Sequence, residues 1–333
     1  MRRLIAAILA AAAASLSLAG VTMPAVFSNH MVLQRDTPAR IWGWATPGEE
    51  IHVSIADQKW IVKAGADGDW SLNLQAEPAG GPHTLTIKGF NEIKFANVMF
   101  GDVFICSGQS NMWWTMTRSA NPDTEIPKAR DPKIRLFKTP LTSSEAPLAT
   151  IGSGWTECNP ENMAEFSAVA YYYARTIREN VDVPIGLIQT AWGGTPVESW
   201  MSRPALRKLP LSAAVLDTHL QKERTPGAEK TRAGWAPGGL YNAMIAPFTK
   251  FKIAGTIWYQ GESNANARTA FGYRDMFAGM IRDWRQAWGQ GDFPFYFVQL
   301  ATFQGNEWWP ILRESQNEAL KLPLTGVAAV SYT

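Results

Sequence analysis

The chain has 333 residues, 46% of them hydrophobic and 18% charged. That is room for one large domain plus a small one, and it excludes a disordered or low-complexity chain. The formal net charge is +2, no basic run stands out, and the four histidines (His30, His52, His83 and His219) show no ligand spacing. Nucleic acid is therefore excluded as an evident partner, and no metal is expected.

The first residues read as a secretory leader. Arg2 and Arg3 precede an apolar run, Leu4 to Ala14, and Ser17-Leu18-Ala19 is a small-x-small cleavage site. Cleavage near Ala19 is expected, giving a secreted or periplasmic protein with 29 basic against 29 acidic residues. The apolar run is too short to span a bilayer, so no stable membrane anchor is expected.

Residues 20–98 read as a small all-β sandwich. Alternating runs lie at Ala39 to Trp44, Glu50 to Ile55, Trp60 to Lys63, Trp70 to Leu74 and His83 to Ile87, separated by turn residues such as Thr46-Pro47-Gly48. From residue 99 the pattern becomes α/β. Apolar strands are expected at Val103 to Ser107, Ile134 to Lys138, Pro184 to Thr190, Ile253 to Tyr259, Pro294 to Leu300 and Gly326 to Ser331. Helical patterns lie near Met163 to Glu179, Tyr273 to Trp288 and Pro310 to Leu320. Such alternation implies a parallel sheet covered on both faces, with ligands outside the carboxyl ends of its strands. Residues 203–237, with Pro204, Pro210, Pro226 and Pro237, read as an irregular excursion, a candidate flap. Cys106 and Cys158 are the only cysteines. An exported pair can form a disulfide, and a buried thiol on the strand at Cys106 fits equally well.

Three polar segments follow expected strands. Gly108-Gln109-Ser110-Asn111-Met112 places a Ser on a strand-to-helix turn, where the hydroxyl is exposed and free backbone N–H groups lie beside it. A Ser there also caps a helix well. Ala191-Trp192-Gly193-Gly194-Thr195 offers glycines that let a backbone N–H approach a substrate closely. Trp258-Tyr259-Gln260-Gly261-Glu262-Ser263-Asn264 adds neutral donors in Gln260 and Asn264 and a carboxylate in Glu262.

Taken together these segments resemble the SGNH hydrolases, and within them the sialate O-acetylesterase family. Phe27-Ser28-Asn29-His30-Met31-Val32-Leu33-Gln34 and Leu240-Tyr241-Asn242-Ala243-Met244-Ile245-Ala246-Pro247 resemble further segments of that family, in the same order. The resemblance implies a three-layer α/β/α hydrolase with a flavodoxin-like parallel sheet over residues 99–333, preceded by the β-sandwich. It implies Ser110 as nucleophile. The oxyanion hole would comprise Ser110, Gly193 or Gly194, and Gln260 or Asn264. Gln109, Asn111, Trp113, Trp192, Tyr241, Asn242, Tyr259 and Glu262 would line the substrate site. Tyr259 before Gln260 is closer to the sialate type than to plant and acetylxylan esterases, which usually carry His there.

The implied activity is removal of O-acetyl groups from sugars, sialic acids first, through an acetyl-serine, chemistry that needs no organic cofactor either. Trp113, Trp114, Trp192, Trp200 and Trp258 lie in or near the matching segments. Two or three of the 15 tryptophans are expected to face sugar rings while the rest pack the core. The family closes its site with an Asp-x-x-His block after the last strand, and here the sequence runs only to Thr333. A fragment is the expectation. An acetylxylan-type esterase and a sugar-binding protein without catalysis are the alternatives.

Overall fold

The computed structural model describes residues 20–303 and 305–330. The expected leader, residues 1–19, lies outside the described residues. The N-terminal strands are β1 (Val32–Gln34), β2 (Arg40–Trp44), β3 (Glu50–Ile55), β4 (Gln58–Lys63), β5 (Asp69–Asn73) and β6 (Gly80–Lys88). Buried and outward residues alternate along β3, so one face supplies Ile51, Val53 and Ile55 to the core. β3 pairs antiparallel with β4 and β6, while β2 and β5 form a separate antiparallel ribbon. Trp42 and Trp70 of that ribbon are buried.

The next strand, β7 (Glu92–Gly108), is 17 residues long. Its first part pairs antiparallel with β6, Met99 to Gly101 pair in parallel with β1, and Asp102 to Gly108 enter the second sheet. The boundary expected after residue 98 therefore falls inside one continuous strand. β8 (Asp131–Lys138), β9 (Trp155–Cys158), β10 (Ile185–Ala191), β11 (Gly255–Tyr259), β12 (Phe295–Gln299) and β13 (Thr325–Ala329) complete the fold. Their order is β13-β12-β11-β7-β10-β8-β9, parallel throughout except for β9 at the edge. β10 and β11 are buried at every residue, so both faces are covered at the centre of the sheet. This is the α/β sheet that the alternation of strands and helices implies.

The helix Ala168–Asn180 starts where the Ser167 side chain accepts the N–H of Ala170. The helix Tyr273–Trp288 ends at Gly289, which takes a left-handed conformation with φ 60°. Residues 203–224 correct the reading of an irregular excursion. They form two helices, Arg203–Arg207 and Pro210–Arg224. Pro204 and Pro210 sit in the first turns, where a missing N–H costs nothing, so they start these helices instead of breaking them.

Cys106 and Cys158 are free and buried. They lie on β7 and β9, three strand spacings apart, which is roughly 14 Å. A disulfide requires α-carbons within about 7 Å, so the topology forbids the bridge. Burial pushes the Cys106 thiol far up and that of Cys158 up to about 11. Beyond β11 the sheet is less covered. Tyr296 and Val327 are exposed and help line an apolar cleft of about 460 Å³.

Candidate active site

The carboxyl ends of the three central strands meet in register at one residue. Gly108 is paired with Ala191 of β10 on one side and Tyr259 of β11 on the other. The chain then continues the lattice by one step on each side. Gln109 N–H donates to Tyr259 O at 2.9 Å, and Trp192 N–H donates to Gly108 O at 3.1 Å. Gly108 has φ +141°, and a Cβ placed on it would stand 2.1 Å from Tyr259 O. Only glycine permits this turn. It releases Ser110 as the first residue of a short helix, Ser110–Trp113.

The glycine turn leans directly on that helix. A Cβ on Gly193 would lie 3.6 Å from Ser110 Cβ and 3.3 Å from the Trp113 ring, whereas one on Gly194 would meet nothing within 4 Å. Gly193 is thus the glycine that packs on Ser110, and Gly194 supplies the left-handed turn with φ +75°. The third segment is tied in by two side chains. Asn111 Nδ2 donates to Glu262 Oε1 at 2.7 Å, and Ser263 N–H donates to Gln109 Oε1 at 3.2 Å. Ser110, Gly193, Gln109, Asn111, Trp113 and Glu262 therefore share one corner of the sheet.

Two expected donors stand behind this corner. Gln260 is fully buried, and its Nε2 donates to Thr195 O at 3.1 Å and to Asn264 Oδ1 at 2.8 Å. Both amide hydrogens are spent, so in this arrangement Gln260 has none to give an oxyanion. Asn264 is also fully buried; its Oδ1 further accepts Val197 N–H, and its Nδ2 donates to Glu198 Oε2 at 2.8 Å. These side chains clamp the glycine turn to the third segment from beneath. Tyr273 extends the clamp by donating to Gln260 Oε1 at 2.8 Å, and Gln316 by donating to Gln260 O at 3.0 Å. Sequence reasoning did not find Glu198, Thr195, Tyr273 or Gln316. For Glu198 there was one signal, a lone acid inside the apolar stretch Thr195-Pro196-Val197-Glu198-Ser199-Trp200.

Asn242 is likewise an anchor. It is buried, and its Nδ2 donates to Ser144 O at 3.0 Å. Tyr241 is buried beside it, with its hydroxyl pKa pushed up by burial. Trp192 stays half-buried with its ring against the backbone of Gly234. Trp200 and Trp258 are core, packed edge to face at 6.0 Å, and Trp258 meets Trp284 in the same way at 5.8 Å.

The two carboxyls of the region are both perturbed. Desolvation raises Glu198 against the hydrogen bond from Asn264 and the charge of Arg268. Desolvation also pushes Glu262 up to about 7 against the opposing hydrogen bond from Asn111, and its Oε2 is buried without a protein partner among the described residues. None of the four histidines adjoins Ser110. His30 meets Asn97, His52 meets Glu50, His83 packs on Phe100 and His219 meets Thr231.

Known proteins share the sequence and the fold that carry this site. A family model described as carbohydrate esterase, sialic acid-specific acetylesterase, matches residues 100–331. Sialate O-acetylesterase of Rattus norvegicus is 32% identical over 330 residues, covering 85% of this chain and 61% of the relative. The Homo sapiens protein of the same name is 31% identical over 311 residues, covering 85% and 58%. The chain thus spans about three fifths of the length of these relatives. Among solved structures, a carbohydrate acetylesterase from Xanthomonas citri superposes with a TM-score of 0.84 at 37% identity, covering 93% of this chain and 68% of that one. The chain belongs to the sialic acid-specific acetylesterase family of carbohydrate esterases.

Proposed function

We propose that this chain removes O-acetyl groups from sugars through an acetyl-Ser110 intermediate. One observation carries the reading: the ends of β7, β10 and β11 meet at Gly108 and set Gly193 against Ser110. In the first step Ser110 Oγ bonds to the acetyl carbonyl carbon and its proton passes to a base. The negative carbonyl oxygen is held by the N–H groups of Ser110 and Gly193, each donor worth roughly 2.7–4 kcal/mol of barrier. The sugar oxygen then leaves with a proton, and water releases acetate and regenerates the hydroxyl. The family name points to sialic acids as the acetylated residue.

Imidazole is the base that none of the chain's four histidines supplies to Ser110, and this gives the test. Acetate release from an O-acetylated sialic acid is followed with and without added imidazole, the protein-free rate being subtracted. Imidazole is expected to accelerate release by the wild-type chain, with acetyl-Ser110 detected by peptide mass spectrometry. Ser110→Ala is expected to remove both signals. Equal rates in the wild type and Ser110→Ala would overturn the assignment.

A further inference from the structure

The helix that opens with Ser110 ends against a groove of about 440 Å³, a volume suited to a small ligand. Asn111, Trp114, Ser119, Val169, Tyr172 and Tyr259 line it. Trp114 is the unusual member. It is 44% exposed, directly follows the nucleophile helix, and is held from two directions. Its Nε1 donates to Arg118 O at 2.8 Å, and its carbonyl accepts the N–H of Ala168 at 2.9 Å. A large apolar face left in water on an anchored side chain is costly for folding alone and is preorganised for a flat apolar ligand.

The groove is also uncharged: among the described residues no Asp, Glu, Lys or Arg lines it. Two cations of the neighbourhood lie over rings other than that of Trp114. Arg175 lies over the Tyr172 ring at 4.6 Å and pairs with Glu125 at 3.1 Å, and Arg118 lies over the Trp113 ring at 6.0 Å. The polar groups on the lining side chains are the carboxamide of Asn111, the indole N–H of Trp114 and the hydroxyls of Ser119, Tyr172 and Tyr259. Asn111 is steadied by Glu262, and Ser119 donates to Thr115 O at 3.1 Å. Neutral hydrogen-bonding groups around an aromatic face match a pyranose ring, which has an apolar face of C–H groups and a rim of hydroxyls. Asn111 connects this groove to the nucleophile, because it is the residue after Ser110.

Building on the esterase reading above, we propose that this groove is a subsite for an uncharged pyranose ring adjoining the acetylated sugar, with Trp114 as its stacking platform. The substrate is then an O-acetylated oligosaccharide, and the ring beside the acetylated one is neutral.

The test is binding, so it does not depend on catalysis. Ser110→Ala protein is titrated by calorimetry with xylotetraose, with lactose and with free N-acetylneuraminic acid. At least one neutral oligosaccharide is expected to bind. Adding Trp114→Ala is expected to weaken that binding by about tenfold or more, and Trp114→Phe, which keeps a stacking face without the N–H, is expected to retain most of it. A thermal melt of each variant confirms folding. The proposal is overturned if neither neutral sugar binds, if Trp114→Ala binds as well as its parent, or if Trp114→Ala weakens only the acidic sugar. A failure of the serine mechanism would appear separately, in the acetate assay.

Discussion

Replacing Glu262 by Gln should make the protein more stable at neutral pH, by an amount that grows with pH over a defined window. Glu262 is pushed from the ordinary 4.5 up to about 7 because folding strips water from its carboxyl group. Asn111 satisfies Oε1, but Oε2 is buried without a protein partner among the described residues. The native state thus holds the proton more tightly than the unfolded chain. Below pH 4.5 both states are protonated and the site contributes nothing. Between 4.5 and about 7 the unfolded chain loses its proton first, and native stability falls. Above about 7 the full loss is in place. At about 1.4 kcal/mol for each tenfold change in proton affinity, the loss is roughly 3 kcal/mol. Gln keeps an oxygen for Asn111 and carries no charge to desolvate, so Glu262→Gln should escape that loss. The assay is urea unfolding of both proteins at steps from about pH 4 to 8.5, read as a difference so that all shared titrations cancel. The gap should open in favour of the variant from pH 4.5 and level off by pH 8. Parallel curves, or a gap that favours the wild type as pH rises, would refute the reasoning.

Gly108→Ala should cost about 3 kcal/mol or more, because the new Cβ would fall 2.1 Å from Tyr259 O at a φ of +141°. A thermal melt within a degree or two of the wild type would refute the tight turn. Cys106 and Cys158 should resist a thiol reagent in the native protein and both react once it is unfolded in urea without reductant. A native protein lacking two titratable thiols after unfolding would contradict the topology that separates them.

Most strands were legible because they are short, apolar and bounded by turn residues, whereas β1, β9 and the first half of the 17-residue β7 were not anticipated. Expected and observed limits at β3, Glu50–Ile55, coincide, and those at β10 differ by one residue at each end. Residues 203–224 were misread because proline was weighed as a breaker, when its effect depends on whether it falls in the first turn or later. The three-strand convergence on Ser110 could be anticipated, since segments that follow parallel strands share one edge of the sheet. The division of labour within those segments could not. Whether an Asn or Gln points at a ligand or beneath it depends on partners far away in sequence. Gln260 is occupied by Thr195, 65 residues earlier, and its backbone carbonyl by Gln316, 56 residues later. No local pattern records such pairings. Trp114 was one of five tryptophans that the sequence could not rank, and exposure distinguishes it from the buried Trp200 and Trp258.

The 17-residue strand Glu92–Gly108 has a mechanical consequence. A module attached through a loop can swivel, and its motions die out in the linker. Here there is no linker. One continuous strand, kinked at Asn97 where φ is +58°, has one end laced to β6 and the other leading into Ser110. Axial slippage by one residue would turn the side chains on either side of that kink to the opposite face. The register of the strand that leads into Ser110 is thereby fixed twice, by Ile188 and Thr256 flanking Ile105 and again by Leu85 opposite Phe95. The N-terminal β layer behaves as the far jaw of the vice that keeps Ser110 at a constant height above the sheet.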